Sequence, residues 1–358
     1  MRNNQISGMS IRILSLVFVL LLSIFSFGNE GKEHTEELHK EESMMDVINH
    51  HIGDSHEFEV YHNKAGTQLV IPLPVIIYST TKGFTTVLSS DFHHGEVSVN
   101  GYKLIHHAGE IVNKSGDHAV SLGSLFGSHD SGEMFFDFSI TKNVFAMLLS
   151  VLLLLLLFVP VARKYKKTNG EAPSGVQNLM EVLIEFVRND IVEPNLGAKK
   201  TPVFMPYLLT VFFFIWINNM LGLIPFFPGS ANVTGNISFT VVMALITFFV
   251  TNLSGNKDYW GHVLWMPGVP LLLKPFMALV EIIGLFTKPF ALTVRLFANI
   301  TAGHIIILAL VLSLGVLSAP LGLFMNVLEL LVAFLQAYVF TMLSALFIGQ
   351  AVAEHEHH

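Results

Sequence analysis

The sequence predicts an all-α polytopic membrane protein with a small β-rich extracytoplasmic domain at its N-terminus. Three observations carry this. Hydrophobic residues make up 52% of the 358-residue chain and charged residues only 13%, against about 25% charged in soluble domains. Several apolar runs approach or exceed the ~18 residues that span a bilayer. Charge is also uneven: residues 29–142 hold 17 Asp and Glu against 7 Lys and Arg, a net of −10, leaving +3 elsewhere in a chain of net −7. An acidic soluble part argues against nucleic-acid binding. The absence of cysteine excludes disulfides, thiolate metal sites and thiol catalysis.

Residues 1–28 read as a signal peptide. Arg2 and Arg12 make a basic start, ILSLVFVLLLSIFSF is an apolar core, and Ser26 and Gly28 are small residues at cleavage positions. The alternative is an uncleaved first helix. Residues 29–142 form the acidic, His-rich domain. Within it QLVIPLPVIIYST, FTTVLSS, EVSVNGYKLI and AVSLGSLF read as short strands broken by Gly, Pro and Asp. Twelve of the 17 histidines lie here, with the pairs His50-His51, His93-His94 and His106-His107. Metal binding is one reading of these pairs. The other is a solvated acidic surface, because neighbours on a strand point to opposite faces.

The membrane domain covers residues 143–350, and 351–358 is a polar tail. The first mature span is 143–161. Arg163, Lys164, Lys166 and Lys167 follow it, which puts that end in the cytoplasm and the preceding domain outside. Residues 175–193 alternate apolar and charged positions at helical spacing, an amphipathic helix lying on the cytoplasmic surface and ended by Pro194 and Gly197. Spans follow at 203–225 and 237–253, then an irregular interfacial segment with Lys257, Lys274, Trp260 and Trp265. The last two spans, 276–316 and 320–350, make a long, tilted antiparallel hairpin turning near Ser318, Ala319 and Pro320, with a kink site at Lys288-Pro289. That gives about five mature spans and a cytoplasmic C-terminus.

This most apolar region carries Glu281, Lys288, Arg295, Asn299 and His304, with Glu329 and Gln336 downstream. A charge at mid-membrane costs roughly 2.5–3.5 kcal/mol on insertion scales, so Arg295 must pair or work. In an antiparallel hairpin, positions of equal depth have nearly constant sums. That places Arg295 level with Gln336. It also places His304 level with Glu329, about 13 Å nearer the outside at ~1.5 Å rise per residue, and Glu281 about 21 Å to the inside. Arg keeps its proton at working pH and cannot carry it. His304 and Glu329 can accept and release protons once burial and pairing shift them. Arg295 is expected to face an external partner while His304 and Glu329 line an access path. The alternative is an Arg–amide and a His–carboxylate pair that simply bind helices together. Lys288 also suits a snorkelling role, and Asn219 a helix contact.

RLFANITAGH followed by LELLVAFLQAYVF resembles the a subunit of F-type ATP synthases, over roughly 143–350. The resemblance implies a stator subunit of the Fo sector in a bacterial plasma membrane, forming two proton half-channels. Arg295 would be the essential arginine facing the c-ring carboxylate, accompanied by Asn299 and Gln336. His304 and Glu329 match the outer half-channel pair, here with acid and base exchanged relative to some members. Glu281 matches a position of the inner half-channel. Implied partners are the c-subunit ring, the b-type peripheral stalk and, through the stalk, the F1 sector. No cofactor and no catalytic site of its own are implied, and no P-loop pattern is present. The competing reading is a self-contained ion transporter or membrane sensor with an extracytoplasmic ligand-binding domain.

Overall fold

The computed structural model describes residues 53–62, 68–95, 97–105, 110–113, 135–167, 173–224, 227–229, 231–266, 268–314 and 318–353. The signal peptide, the strand expected at 119–126, the histidine pairs at 50–51 and 106–107 and the end of the tail lie outside these residues. The chain is a mostly helical, multi-pass membrane protein with short sheets at its N-terminal side.

β1 (Glu57–His62) and β2 (Gln68–Pro72) pair antiparallel. β3 (Pro74–Ser79) lies between β4 (Gly83–Leu88) and β7 (Phe135–Asp137). β5 (Tyr102–Ile105) pairs with β6 (Glu110–Asn113). QLVIPLPVIIYST is thus two strands. Pro72 and Pro74 cannot donate to a ladder, and the chain changes partners between them. β3 turns Val75, Ile77 and Ser79 inward, onto a core that includes Phe92, Tyr102, Leu104, Ile111 and Phe135. EVSVNGYKLI, expected as one strand, folds back on itself. Asn100 (φ 51°) and Gly101 (φ 91°) take positive φ, and Val99 and Tyr102 exchange two backbone hydrogen bonds of 2.9 Å. That is the type I′ geometry Asn-Gly favours. FTTVLSS also ends early: Ser89–Gly95 is a 3₁₀ segment whose Asp91 carboxylate accepts from the Leu88 amide at 3.2 Å.

α1 (Lys142–Lys167) continues through Arg163 and Lys164. α2 (Val176–Phe186) is amphipathic, burying Gln177 and Met180 while Val176, Leu179 and Val182 stay exposed. A π-helical turn (Val187–Val192) and a last α-turn (Glu193–Leu196) extend it to Gly197. Pro194 was expected to end this helix, and it does not. It occupies the first positions of the new turn, where a missing N–H costs nothing.

α3 (Thr201–Gly222) is buried on nearly every side, among them Leu208, Val211, Phe212 and Ile215, the mark of a central helix. α4 (Ile237–Leu253) is capped by Asn236, whose side chain accepts from the Ser238 amide at 2.9 Å. The segment after it is not wholly irregular: α5 (Lys257–Leu264) turns away by 105°. Tyr259 reaches back to Asn252 at 3.3 Å, and the Lys274 ammonium lies 4.6 Å from the Trp265 ring. α6 (Lys274–Leu314) and α7 (Ser318–Val352) complete the bundle. Among the described residues, four helices are long and apolar enough to cross a membrane, or five if α4 and α5 form one span.

α7 packs on α3 and α6, α4 packs on α6, and α1 packs on α3. Polar ties fix these contacts. Asn218 donates to Ser150 at 3.0 Å, Tyr207 and Thr247 share a 2.9 Å bond, and Asn256 donates to the Val352 carbonyl at 2.9 Å. Lys200 donates to the same carbonyl. Gly349 admits the end of α2, since a Cβ there would collide with the Asn195 carbonyl. Gly349→Ala should therefore destabilise the protein by about 1–3 kcal/mol through overpacking. Thermal melts of the solubilised protein check this, and an unchanged midpoint would mean the α2 terminus yields freely.

Candidate ion path between the last two helices

α6 and α7 touch where small side chains let them. Gly303 lies close against Glu329: a Cβ at position 303 would lie 3.0 Å from Oε1 of Glu329, a tight contact that the end of that side chain would have to relieve. Glu329, on α7, is 6% exposed. Two turns further along α7, the Oε1 of Gln336 accepts a 2.9 Å hydrogen bond from Nδ2 of Asn299. Gln336 is buried, and its Nε2 has no partner among the described residues. A carboxylate and an amide pair therefore sit in the α6–α7 seam at two depths.

Arg295 lies one turn before Asn299 on α6 and is exposed. Among the described residues it has no ion-pair partner. The register differs from the expectation that levelled Arg295 with Gln336: Asn299, four positions later, makes that contact. At the other level the position sums hold, since Gly303, next to His304, lies beside Glu329. Phe286, Phe290 and Val294 of α6 are exposed on the same stretch of helix. The backbone of His304 follows Gly303 within α6, while its side chain lies outside what the structure describes.

Asn219 joins the site from α3. Its Nδ2 donates to the carbonyl of Ala333 at 3.1 Å, and its Oδ1 accepts from the Thr234 hydroxyl at 2.7 Å. Ala333 is one turn from Glu329, so this amide holds α3 and the α3–α4 connection beside the carboxylate. Toward the other end of α6, Lys288 donates to Gln350 at 3.3 Å and lies 5.3 Å from the Phe347 ring. It lines a small cavity with Thr251 and Tyr259, and the Thr251 hydroxyl has no partner among the described residues. Glu281 is half-buried two turns before Lys288. Polar groups thus recur along α6, and direct contacts unite some of them: Lys288 with Gln350, Asn299 with Gln336, Gly303 with Glu329, and Asn219 with the turn after Glu329.

Two contributors escaped the sequence reading. Gly303 was readable in principle, as a residue without a side chain opposite Glu329 in the position-sum scheme. Thr234, in a short turn capped by Asn232, carried no comparable signal. Among the described residues no group of three or more His, Asp or Glu is placed to hold a metal ion.

The chain was compared with known proteins. The ATP synthase A chain family matches residues 144–349, and a domain of unknown function (DUF8433) matches residues 47–138. The chain is 48% identical over 236 residues to ATP synthase subunit a of Chloroherpeton thalassium, covering 62% of this chain and 69% of that one. It is 49% identical over 238 residues to ATP synthase subunit a of Chlorobium phaeobacteroides, covering 62% and 68%. It is 44% identical over 277 residues to ATP synthase subunit a 2 of Chlorobaculum tepidum, covering 70% and 77%. With an exposed arginine on the same helix as an amide pair and a buried carboxylate facing it from the next, inside a match that spans more than half of its length, the chain belongs to the ATP synthase A chain family.

Proposed function

We propose that this chain is the stator subunit a of the Fo sector of an ATP synthase, forming two proton half-channels against the ring of c subunits and coupling proton flow to ring rotation. The observation that supports this best is Arg295, a charge on a membrane helix turned away from its own bundle. Such a charge is expensive in lipid and calls for an anionic partner from outside the chain. A c-subunit carboxylate is that partner, and the apolar face around Arg295 suits the wall of the ring.

In this reading five spans cross the membrane. The basic end of α1 is cytoplasmic, the N-terminal domain lies outside, and the C-terminus lies inside. Protons arrive from outside past the Asn219–Thr234 pair and pass Glu329 and His304 to a c-ring carboxylate. Once neutral, that carboxyl can face lipid without the penalty of a buried charge. After a turn of the ring it meets Arg295, which keeps its own proton and favours the ionised carboxylate. The released proton leaves past Glu281. Asn299 and Gln336 brace α6 against α7 beside the arginine, so that its position does not drift as the ring turns. Lys288 lies on the inner side, near the membrane surface. The b-type stalk holds the chain against rotation and joins it to F1, where ATP is made.

Arg295→Ala should abolish ATP-driven proton pumping in vesicles that still contain the assembled complex; near-normal pumping would remove Arg295 from the ion path. Gly303→Val should lower pumping by about 10- to 100-fold, because displacing a proton-transfer group by ~1 Å has that order of effect. Gly303→Ala should be milder, since the flexible end of Glu329 can yield. Equal rates for all three residues at 303 would take Glu329 out of the rate-determining path.

A further inference from the structure

The N-terminal module meets the membrane domain through a cluster of buried charges. Asp54, just before β1, accepts from the Thr141 hydroxyl at 2.8 Å and from the Asn143 amide at 3.1 Å, capping the start of α1. The Lys142 amide donates to the Ser55 carbonyl at 2.9 Å, and the Leu73 amide to the His56 carbonyl at 3.2 Å. His56 is 2% exposed, and its Nε2 lies 3.5 Å from Oδ2 of Asp137, at the end of β7. Among the described residues neither of its ring nitrogens has a hydrogen-bond partner, so Nε2 meets Asp137 as an ion pair only. Asp137 also accepts from the Ser139 amide at 2.8 Å. Next along β1, Phe58 contacts both Phe145 of α1 and Phe227 of the α3–α4 connection, at 5.3 and 5.4 Å between ring centroids. That connection carries Thr234, which holds Asn219 beside α7.

We propose that this cluster is a pH-responsive clamp, in which His56 between Asp137 and Asp54 fastens the N-terminal module to the start of α1 and to the α3–α4 connection, and loosens as the surrounding pH rises. A residue pair at the surface could titrate without consequence. This one cannot, because the same few residues bear the helix cap, the ion pair and the aromatic wedge.

The titratable and charged groups facing His56 are Asp54 and Glu57 from its own segment and Asp137 from β7, while Lys142 at the head of α1 acts on Asp54. Burial opposes charging of His56, but the Asp137 carboxylate, with Asp54 and Glu57, outweighs it and leaves the imidazole more basic than its ordinary 6.5. Burial raises the Asp54 carboxyl above its ordinary 3.8, against the bonds from Thr141 and Asn143. Burial also works against ionised Asp137, but His56 prevails and lowers it below 3.8. A group more basic when docked favours docking below its free value and loses that contribution as pH climbs to its docked value. His56 and Asp54 therefore both weaken the clamp with rising pH, and His56 does so from 6.5 upward. Asp137 withdraws support only in strong acid, below 3.8. Across neutral and alkaline pH the clamp has one direction.

The test is amide hydrogen exchange on the whole complex, read at Leu73, Lys142 and Asn143 and corrected for the intrinsic pH dependence of exchange. From about pH 6 to about pH 9 these amides should lose protection, because the docked state binds the His56 proton more tightly than the free state does. Amides in the middle of α3 should hold steady. His56→Gln should show low protection at both pH values, with the difference between them flattened. Constant protection of the three amides across this range in the unmodified complex would overturn the clamp, whether or not the variant assembles. A wild-type response that persists unchanged in His56→Gln would overturn the assignment to His56.

Discussion

Helices in lipid gain little by hiding apolar side chains from one another, because the surrounding chains are equally apolar. Register must come from close packing and from polar contacts, and this bundle places those contacts at the positions its function needs. Asn219 bonds to the Ala333 carbonyl, one turn from Glu329, and Asn299 bonds to Gln336. Each fixes α7 against a different neighbour, α3 on one side and α6 on the other. Hydrogen bonds of this kind are worth about 0.6–2 kcal/mol in membranes. Their value lies less in stability than in removing the freedom of one apolar helix to slide along another. With α7 held on both sides, the depth of Glu329 is set, and Gly303 gives it room without letting α6 move away.

That constraint explains why Arg295 is left over. Asn299 and Gly303, two of the α6 residues that engage α7, are four apart and share a stripe. Arg295, another four back, continues that stripe, but α7 has no acceptor for it among the described residues. The charge is left exposed. A stabilising pair, the alternative raised from the sequence, would have consumed the arginine. The same argument makes Lys288 different in kind: it is tied to Gln350 and lies near the Phe347 ring, so its charge is already engaged within the chain.

Legibility in the sequence follows the range of the interactions. Membrane helices declare themselves locally, because twenty apolar residues have few other fates, and the bounds of α4, α6 and α7 lie close to the apolar runs. Strands were less legible. EFEVYH in β1 mixes charged with apolar residues and gives a weak pattern. The Asn-Gly turn at 100–101 was present as a hairpin signal but was masked by the apolar alternation on both sides of it. For the site, the residue types on α6 and α7 were readable, and their mutual facing was not. Which α6 side chain reaches Gln336 depends on how the two helices face each other, and no count along one chain gives that. Asp54 is the extreme case: its partners lie 87 and 89 positions away, and nothing near it in sequence announces a helix cap.

Those long-range contacts also tie the two family matches into one molecule. A module appended to a membrane protein could hang from a linker, with its chemistry separate from the bundle. Here β7 runs almost directly into α1, with the Phe138 and Ile140 amides still bonded to β3. Asp54 caps the helix that follows, and Phe58 reaches the connection that carries Thr234. A path of contacts therefore runs from the His56–Asp137 pair, through Phe58, Phe227 and Thr234, to the turn of α7 next to Glu329. A path is not by itself coupling, which requires an element with two states that both ends bias. The His56 imidazole, charged or neutral, supplies two such states at one end. At the other, the Thr234–Asn219–Ala333 bonds are few enough that a shift of the α3–α4 connection would alter how α7 presents its carboxylate.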